Sequence, residues 1–569
     1  MSRHSARSIQ HQKPLSNQRS GKLIEDLLSS ALSHHQAGRL AEAEALYRQI
    51  LSLDARHADS LHLLGMVAFQ RGSFETAADL IGKAIAIDKR NALYHSNMGT
   101  VLHANGMADE ALACYRLAVS LKPDYADAHS NLGNALAGRG EIPEAMAHFE
   151  RVLELNPNHA DAHTNLGAAL SEQYRFAEAA AHCERAITLK PEGAEAYSNL
   201  GNALLGLEKP VDAVTCFVQA IKWKPDYLAA YFNLGNTLQE LEKLDDAITI
   251  YDRALAIKAD YAQATYGKAM AQLRKGDFSN GWDNHELRWK TLGHTPMRPY
   301  RQPMWAGEKF SDGKVLIWGE QGVGDEIMFA GLLPEVVRSG NACVLDCDAR
   351  LKPLFARSFP EMEVVSGCGP EVKRDDIAAH LPAGSLPRLF RRAGGYFALG
   401  KSPYLLADEE KRDELRARYT NGKRVIGLAW YTKNKKTGPR RSMDLSLFAP
   451  LFERDDVAWV SLQYGQQAEA MRTPIRVDPD IDQLVDMDLF AAQIAAMDLV
   501  ITIDNSTAHL AGALGIPVWL MLPFAADWRW MTEREASPWY PSMRLFRQPS
   551  RGDWPSVVAR ISQELAQSR

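Results

Sequence analysis

A glycine-rich loop in the C-terminal half carries residue types that suit group transfer. This loop, GEQGVGDE at 319–326, follows an apolar run and precedes a helical pattern. Gly322 and Gly324 let backbone amides approach a ligand closely, and Asp325 is placed to take a proton from an attacking hydroxyl. A second role stays open for Asp325, because an aspartate here is also suited to cap the following helix. The spacing matches neither GxGxxG nor a P-loop, which argues against dinucleotide binding and ATP hydrolysis.

A second polar segment, DNSTAH at 504–509, lies between an apolar run and a helix of small residues. The start of such a helix leaves backbone amides and the positive end of the helix dipole free, which is an anion site. The side chains that would complete a diphosphate site are those of Asp504, Asn505, Ser506, Thr507 and His509. The alternative is that Asp504 or Ser506 caps the helix and His509 packs against the sheet.

A basic loop at 430–442 follows another apolar run. It contains five Lys or Arg residues, of which Lys433, Lys435 and Arg441 are our candidates for binding phosphate. Positive side chains at the carboxyl end of a strand can neutralise a leaving pyrophosphate. The alternative is a solvated surface loop.

Short apolar runs that alternate with helical segments must position these three loops. The runs have the character of buried parallel strands, at 314–318, 342–346, 424–430, 457–462, 499–503 and 517–521. This alternation predicts α/β organisation. A charged, breaker-rich stretch at 407–422 separates the runs into two Rossmann-like lobes, 313–406 and 423–569, facing each other across a cleft.

The N-terminal half repeats every 34 residues, with asparagines in register at Asn97, Asn131, Asn165, Asn199 and Asn233. Each asparagine precedes Leu or Met and then Gly, and prolines recur with the same period at Pro123, Pro157, Pro191 and Pro225. The pattern resembles the tetratricopeptide repeat, a helix-turn-helix unit that stacks into a solenoid. We expect about seven repeats and a partial eighth over 21–275, with the asparagines at the turns. Residues 1–20 are predicted to be a disordered tail and 276–312 a connecting segment.

These five asparagines, which we call the asparagine ladder, have two interpretations. A row of amides in the concave groove of a solenoid suits an extended peptide, whereas each amide can instead bond backbone within its own repeat. The repeats, with DAHSNLGN at 127–134 and YSNLGN at 197–202, resemble those of the O-linked N-acetylglucosamine transferase, whose ladder asparagines hold substrate peptide. That resemblance implies a protein or peptide acceptor in the groove.

Composition and charge exclude several classes of protein. A formal net charge of -5 over 569 residues argues against a nucleic-acid partner. No stretch approaches the roughly 20 apolar residues that span a bilayer, and no secretory signal is recognised. The six cysteines form no CxxC pair, which predicts reduced thiols with neither a disulfide nor a zinc site. We therefore expect a cytoplasmic protein.

The C-terminal motifs resemble the heptosyltransferases, glycosyltransferase family 9. The resemblance rests on Gly324-Asp325 after the first strand and on Asp504 five residues before His509. Further motifs are similar to those of bacterial proteins that join tetratricopeptide repeats to such a domain: GSLP at 384–387, SLQ at 461–463, DWRW at 527–530 and SPWYPSMRLFRQ at 537–548.

This resemblance implies the fold class: an α-helical tetratricopeptide-repeat solenoid followed by an α/β GT-B domain of two Rossmann-like lobes. It further implies inverting transfer from a nucleotide-diphospho-sugar, without an essential metal or cofactor, with Asp325 as base and 423–569 as the donor-binding lobe. The basic loop and residues 504–509 would hold the donor phosphates, and Gln463 would lie near the nucleoside. Heptosyltransferases usually have Thr-Gly or Ser-Gly after the second aspartate, where this chain has Asn505-Ser506.

Three functions follow from these patterns. The first is a protein glycosyltransferase that modifies Ser or Thr of a polypeptide held by the repeats, with flagellin as a candidate acceptor from the resemblance. The second is a transferase acting on lipopolysaccharide or another glycan, with the repeats recruiting a partner. The third is a non-catalytic repeat scaffold whose transferase domain has decayed.

Overall fold

The computed structural model describes residues 15–291, 297–392, 403–434, 437–465 and 473–567. The chain divides into two compact units, Met1–Tyr227 and Leu228–Arg569. The described part of the first unit is built from paired helices. The second unit combines the last helices of the repeat array with two parallel β-sheets.

Helices of the first unit pair as successive antiparallel hairpins of about 13 and 14 residues, which is the length of the two helices of a tetratricopeptide repeat. They are α1 (Leu15–Gln36), α2 (Leu40–Leu53), α3 (Ala58–Gln70), α4 (Phe74–Ile87), α5 (Ala92–Ala104), α6 (Ala108–Leu121), α7 (Ala126–Gly138), α8 (Ile142–Leu155), α9 (Ala160–Glu172), α10 (Phe176–Leu189), α11 (Ala194–Gly206) and α12 (Pro210–Trp223). The recurring prolines follow the second helix of a pair by two residues, as at Pro123 after Leu121, which confirms the helix ends predicted from them.

The Asn-Leu-Gly motif lies inside the first helix of each pair, so our placement of it at the turn was wrong. Its glycine is required by packing instead. A Cβ atom on Gly99 would lie 2.6 Å from the ring of Tyr115, and one on Gly133 would lie 2.6 Å from the ring of Phe149. The aromatic residue of the second helix therefore fills the space that a side chain would need.

The turns within each helix pair have a register of their own, which we call the turn register. Its first four members are glycines with positive φ, namely Gly38, Gly72, Gly106 and Gly140. The equivalent residues of the next three repeats also have positive φ (60°, 58° and 59°), although they are Tyr174, Glu208 and Glu242. Because a Cβ atom makes this left-handed conformation cost about 1 kcal/mol, the last three turns keep the shape of the first four at an energetic cost.

The second unit begins with the last helices of the repeat array. These are α13 (Leu228–Glu240), α14 (Leu244–Ile257), α15 (Ala262–Lys275), α16 (Phe278–His285) and α17 (Arg288–Thr291). Helix α15 contacts a 3₁₀ turn at Trp528–Trp530, and the Thr532 amide donates to the carbonyl of Arg274 over 3.2 Å. These contacts join α15, which follows the last complete repeat, to the α/β part.

Two parallel sheets form the α/β part, as the sequence predicted. The first sheet has the order β3-β2-β1-β4 and consists of β1 (Lys314–Trp318), β2 (Ala342–Asp346), β3 (Glu363–Val365) and β4 (Ile377–Pro382). The second has the order β6-β5-β7-β8-β9 and consists of β5 (Arg424–Leu428), β6 (Val457–Ser461), β7 (Leu499–Ile503), β8 (Val518–Leu522) and β9 (Met543–Arg547).

Helices connect these strands, as parallel pairing requires. They are α18 (Val323–Ala330), α19 (Leu333–Arg338), α20 (Lys352–Ser358), α21 (Leu386–Phe390), α22 (Glu409–Thr420), α23 (Gly438–Arg441), α24 (Ala449–Phe452), α25 (Met487–Ala495), α26 (Ser506–Ala513) and α27 (Trp554–Gln567). Further 3₁₀ turns lie at Ala383–Ser385 and Leu445–Phe448. No helix in the described residues has the length and apolar character needed to cross a membrane.

All six predicted strands are present, and β3, β4 and β9 were not predicted. Three predicted irregular segments contain helices. The connecting segment at 276–312 includes α16 and α17. Helix α22 occupies most of the stretch at 407–422, and α1 begins at Leu15, inside the expected tail at 1–20, of which residues 1–14 lie outside the described residues.

Candidate functional site

The loops that carry the candidate residues begin at the carboxyl ends of strands, where the strand order of each sheet reverses. In the first sheet this point lies between β1 and β4, beside the glycine-rich loop. In the second sheet it lies between β5 and β7, where the basic loop and residues 504–509 begin. Ligands of open α/β sheets bind at such points.

The two loops that follow β1 and β7 meet in the structure. Helix α18 begins within the glycine-rich loop, and α26 begins directly after Asp504 and Asn505. These two helices contact each other. A Cβ atom on Gly324 would lie 3.3 Å from Cδ2 of His509 and 3.6 Å from Cα of Ser506. Glycine at 324 therefore permits a close approach between a loop of one sheet and the helix start of the other.

Asp325 is the third residue of α18, and an arginine from a distant loop holds its carboxylate. The N-cap of α18 is Gly322, so the alternative role of Asp325 as the capping residue is not found. Arg529 donates to Oδ1 of Asp325 and, over 2.6 Å, to Oδ1 of Asp527. Oδ2 of Asp325 has no partner among the residues described. One oxygen is thus fixed by Arg529, and the other is available to a ligand.

A second arginine joins the basic loop to the acidic residues of the site. Arg441 lies 3.0 Å from Oδ2 of Asp504 and 3.5 Å from Oδ2 of Asp527. Burial raises the pKa of Asp504, with the charge of Arg441 opposing the shift. The pKa of Asp527 is lowered, because Arg529 and Arg441 together outweigh its burial. The result is a network of three carboxylates and two guanidinium groups at the carboxyl edge of the second sheet.

His509 is buried in this network as a neutral side chain. Burial, helped by the charge of Arg529, lowers its pKa to about 4. Its Nδ1 lies 2.9 Å from the hydroxyl of Tyr540, and its ring stacks on Trp530 with centroids 5.2 Å apart. At neutral pH it therefore offers a ring N–H or a lone pair to a ligand, without a positive charge.

The start of α26 carries polar atoms without partners. Asn505 is the N-cap, with Oδ1 accepting from the amide of Ala508 over 3.2 Å, so neither Asp504 nor Ser506 caps the helix. Nδ2 of Asn505 and Oγ1 of Thr507 are buried and have no hydrogen-bond partner within the described part of the chain. Buried polar atoms normally have partners, and unpaired donors at a helix N-terminus are suited to bind an anion.

The remaining phosphate- and nucleoside-binding candidates, Lys433, Lys435 and Gln463, differ in their exposure to solvent and in whether the structure describes them. Lys433 is exposed and packs along Gly465, while Lys435 lies outside the described residues. Gln463 is fully buried, and its amide bonds backbone only: Oε1 accepts from Trp430 and Tyr431, and Nε2 donates to Tyr431 and Tyr464. Its evident role is to hold the start of the basic loop.

The asparagine ladder is half-buried, and four of its five members bond to the preceding repeat instead of to backbone within their own repeat. The Nδ2 atoms of Asn97, Asn131, Asn165 and Asn199 lie, respectively, 2.8 Å from His62 Nε2, 3.4 Å from Ser96 Oγ, 2.7 Å from Asn134 Oδ1 and 3.3 Å from the Thr164 carbonyl. Asn233 lies in α13 of the second unit.

Sequence reasoning missed Asp527 and Arg529, which complete the acidic network. Their only signal was the clustering of charge and aromatic residues in DWRW, a motif that no predicted strand immediately precedes. It also missed Arg288, which makes two 2.8 Å bonds to the Glu320 carboxylate and one to Ser385 Oγ. The buried ion pair between Arg288 and Glu320 fixes the beginning of the glycine-rich loop.

Comparison with protein families identifies the repeats. Models described as tetratricopeptide repeat or TPR repeat match residues 34–98, 92–116, 107–140, 132–194, 198–262 and 235–280. The chain therefore carries tetratricopeptide repeats, as the 34-residue period predicted.

A comparison with curated proteins found a bacterial relative. Protein FlbA of Caulobacter vibrioides is 30% identical over 334 residues, which cover 53% of this chain and 55% of FlbA. The chain thus spans about half the length of this curated relative.

Solved structures of other proteins are similar to part of this chain. PilF of Pseudomonas aeruginosa is 21% identical with a TM-score of 0.35, covering 37% of this chain and 96% of that one. YrrB, a TPR protein with an unusual peptide-binding site, is 26% identical with a TM-score of 0.28, covering 34% and 98%. At these TM-scores the likeness supports no inference about this chain.

Proposed function

We propose that the second unit is an inverting glycosyltransferase of the GT-B type, which transfers a sugar from a nucleotide-diphospho-sugar to an acceptor held by the repeats. The acceptor we favour is Ser or Thr of a polypeptide, with flagellin as a candidate. The observation that carries the proposal is the contact between α18 and α26, because it brings a carboxylate with a free oxygen beside a helix start with unpaired donors.

Asp325 would act as the general base. The acceptor oxygen attacks the anomeric carbon, and the bond from that carbon to the diphosphate oxygen breaks with its electrons leaving on the diphosphate. The hydroxyl proton passes to Oδ2 of Asp325, and the configuration at the carbon inverts. Arg529, bonded to Oδ1, orients the carboxylate so that Oδ2 faces the acceptor.

The leaving diphosphate would lie at the start of α26. The free backbone amides there, with Asn505 Nδ2 and Thr507 Oγ1, stabilise the negative charge that develops during transfer. Arg441 and Arg529 already neutralise carboxylates, so they would contact phosphate through their remaining N–H groups. The side chain of Gln463 contributes indirectly, by holding the basic loop.

A thermal-shift screen of uridine, adenosine, guanosine and cytidine diphosphates and their sugars identifies the donor. A ligand present at 100 times its dissociation constant adds about 2.7 kcal/mol of stability. Absence of a shift with every member of the screen would favour a non-catalytic scaffold. Intact-mass measurement of acceptor candidates from wild-type and deletion cells then separates a protein acceptor from a glycan acceptor.

Asp325→Asn tests the base with the donor so identified. We expect transfer to fall about a hundred- to ten-thousandfold, while the donor still stabilises the variant. The neighbouring Glu326→Gln is the informative comparison, because burial raises the pKa of Glu326 to about 7, which also suits a base. Loss of transfer in Glu326→Gln with full transfer in Asp325→Asn would move the base to Glu326.

A further inference from the structure

Glu240, the last residue of α13, connects the final repeat to the basic loop. Its Oε1 accepts from Nη1 of Arg440 over 2.6 Å. Arg440 belongs to the short helix α23, in which the next residue is Arg441. A carboxylate of the repeat array is therefore bonded to the turn that directs Arg441 toward Asp504 and Asp527.

A second arginine contacts the same carboxylate from another loop. Arg551, beyond β9, donates to the backbone carbonyl of Glu240, and its guanidinium lies 3.6 Å from Oε2. Oε2 is buried and has no direct hydrogen bond among the described residues. A buried carboxylate oxygen without a hydrogen bond needs nearby positive charge, and Arg440 and Arg551 supply it. Glu240 thereby joins α23 and the loop after β9 to the end of α13.

We propose that Glu240 is a positioning residue for diphosphate binding, through which the last repeat sets the geometry of the basic loop. This inference rests on the proposed function. With Glu240 present, Arg440 is occupied and α23 is fixed, which leaves Arg441 aligned with the acidic network. Without Glu240, α23 loses this ion pair to α13, and the guanidinium groups of Arg440 and Arg551 lose their shared carboxylate.

Calorimetric titration with inorganic pyrophosphate tests this without knowledge of the donor. Glu240→Gln should weaken pyrophosphate binding about three- to fivefold, the size expected for a partly exposed ion pair. The matched control is Asp246→Asn, which removes one negative charge from an exposed position of the same repeat. The control should bind pyrophosphate as the wild type does.

Arg440→Gln provides a second variant and completes a double-mutant cycle. If the two residues act through each other, the double variant Glu240→Gln/Arg440→Gln binds no more weakly than either single variant. A general loss of folding would instead add the two effects and lower the melting temperature together with the affinity.

The outcomes separate this inference from the proposed function. Equal or tighter binding by Glu240→Gln, which simple removal of negative charge would produce, overturns the positioning role and leaves the proposed function intact. If the wild-type protein itself does not bind pyrophosphate, the anion site is overturned and the positioning role with it.

Discussion

His509 illustrates how burial sets the charge of a single side chain at the site. From sequence it was a candidate donor to phosphate, and a charged imidazole would have been the stronger partner. Its enclosure by Trp530 and Tyr540 makes it neutral at physiological pH. The positive charge of the site therefore comes from Arg441 and Arg529, both of which are already paired with carboxylates.

The lowered pKa of His509 predicts that acid destabilises the second unit. Between pH 6.5, the ordinary value, and about 4, the unfolded chain binds a proton at His509 that the folded chain does not. The free energy of unfolding therefore falls as pH falls through this range, by about 2 kcal/mol between pH 7.5 and 5. His509→Asn should lose about that much less than the wild type, measured by urea denaturation at both pH values.

The exposed His103 provides the control for this measurement, since His103→Asn should keep the wild-type dependence on pH. Parallel profiles for His509→Asn and wild type would mean that His509 titrates in the folded state as it does in the unfolded chain.

At the scale of elements, the polar atoms at the start of α26 should lower the stability of the unliganded protein and also bind an anion. Thr507 Oγ1 and Asn505 Nδ2 are buried without partners. Such atoms cost free energy in the unliganded protein, and a bound anion would satisfy them. A substitution that removes one of these atoms should therefore raise the stability of the unliganded protein and weaken anion binding.

Thr507→Val should stabilise the unliganded protein, by about 1 kcal/mol, because valine has the same shape without the unpaired hydroxyl. The same change should weaken pyrophosphate binding about tenfold, because one donor to the anion is lost. Chemical denaturation and calorimetry measure the two effects. The matched control is Thr502→Val on β7, whose hydroxyl lies 3.2 Å from both the Ile503 carbonyl and Asn505 Oδ1, and this variant should be less stable than wild type. Destabilisation by Thr507→Val would show that its hydroxyl has a partner.

At the scale of the whole molecule, the repeats and the candidate site should make separable contributions. Replacing Asn131, Asn165 and Asn199 by Ala should reduce modification of a protein acceptor and spare donor binding. Each lost amide also costs about 1 kcal/mol in the first unit, because it bonds to the preceding repeat. Intact-mass analysis of the acceptor and calorimetry with the donor measure the two functions.

The exposed Asn105 provides the control for the ladder, since Asn105→Ala should change neither function. Equal loss of acceptor modification and donor binding in the triple variant would restrict the ladder to supporting the fold.

Sequence patterns predicted the parts of the fold that have a strong local signal, namely the 34-residue repeat of the helices and the apolar runs of the central strands. The buried strands β1, β5 and β7 are continuous apolar runs, whereas β4 includes His380 and Pro382, and β9 has arginine at two of its five positions. The loops at the carboxyl ends were predicted because parallel strands share one edge. Arg529 could not be assigned, because its pairing with Asp325 joins residues 204 positions apart.

The turn register has a consequence for amide proton exchange along the first unit. Opening a turn relieves the left-handed conformation at Tyr174 and Glu208 but relieves little at Gly72 and Gly106. A difference of about 1 kcal/mol corresponds to about fivefold in the opening equilibrium. Amide protons beside Tyr174 and Glu208 should therefore exchange with solvent about fivefold faster than those beside Gly72 and Gly106. The solenoid would then have two levels of local opening, with the change between its fourth and fifth turns.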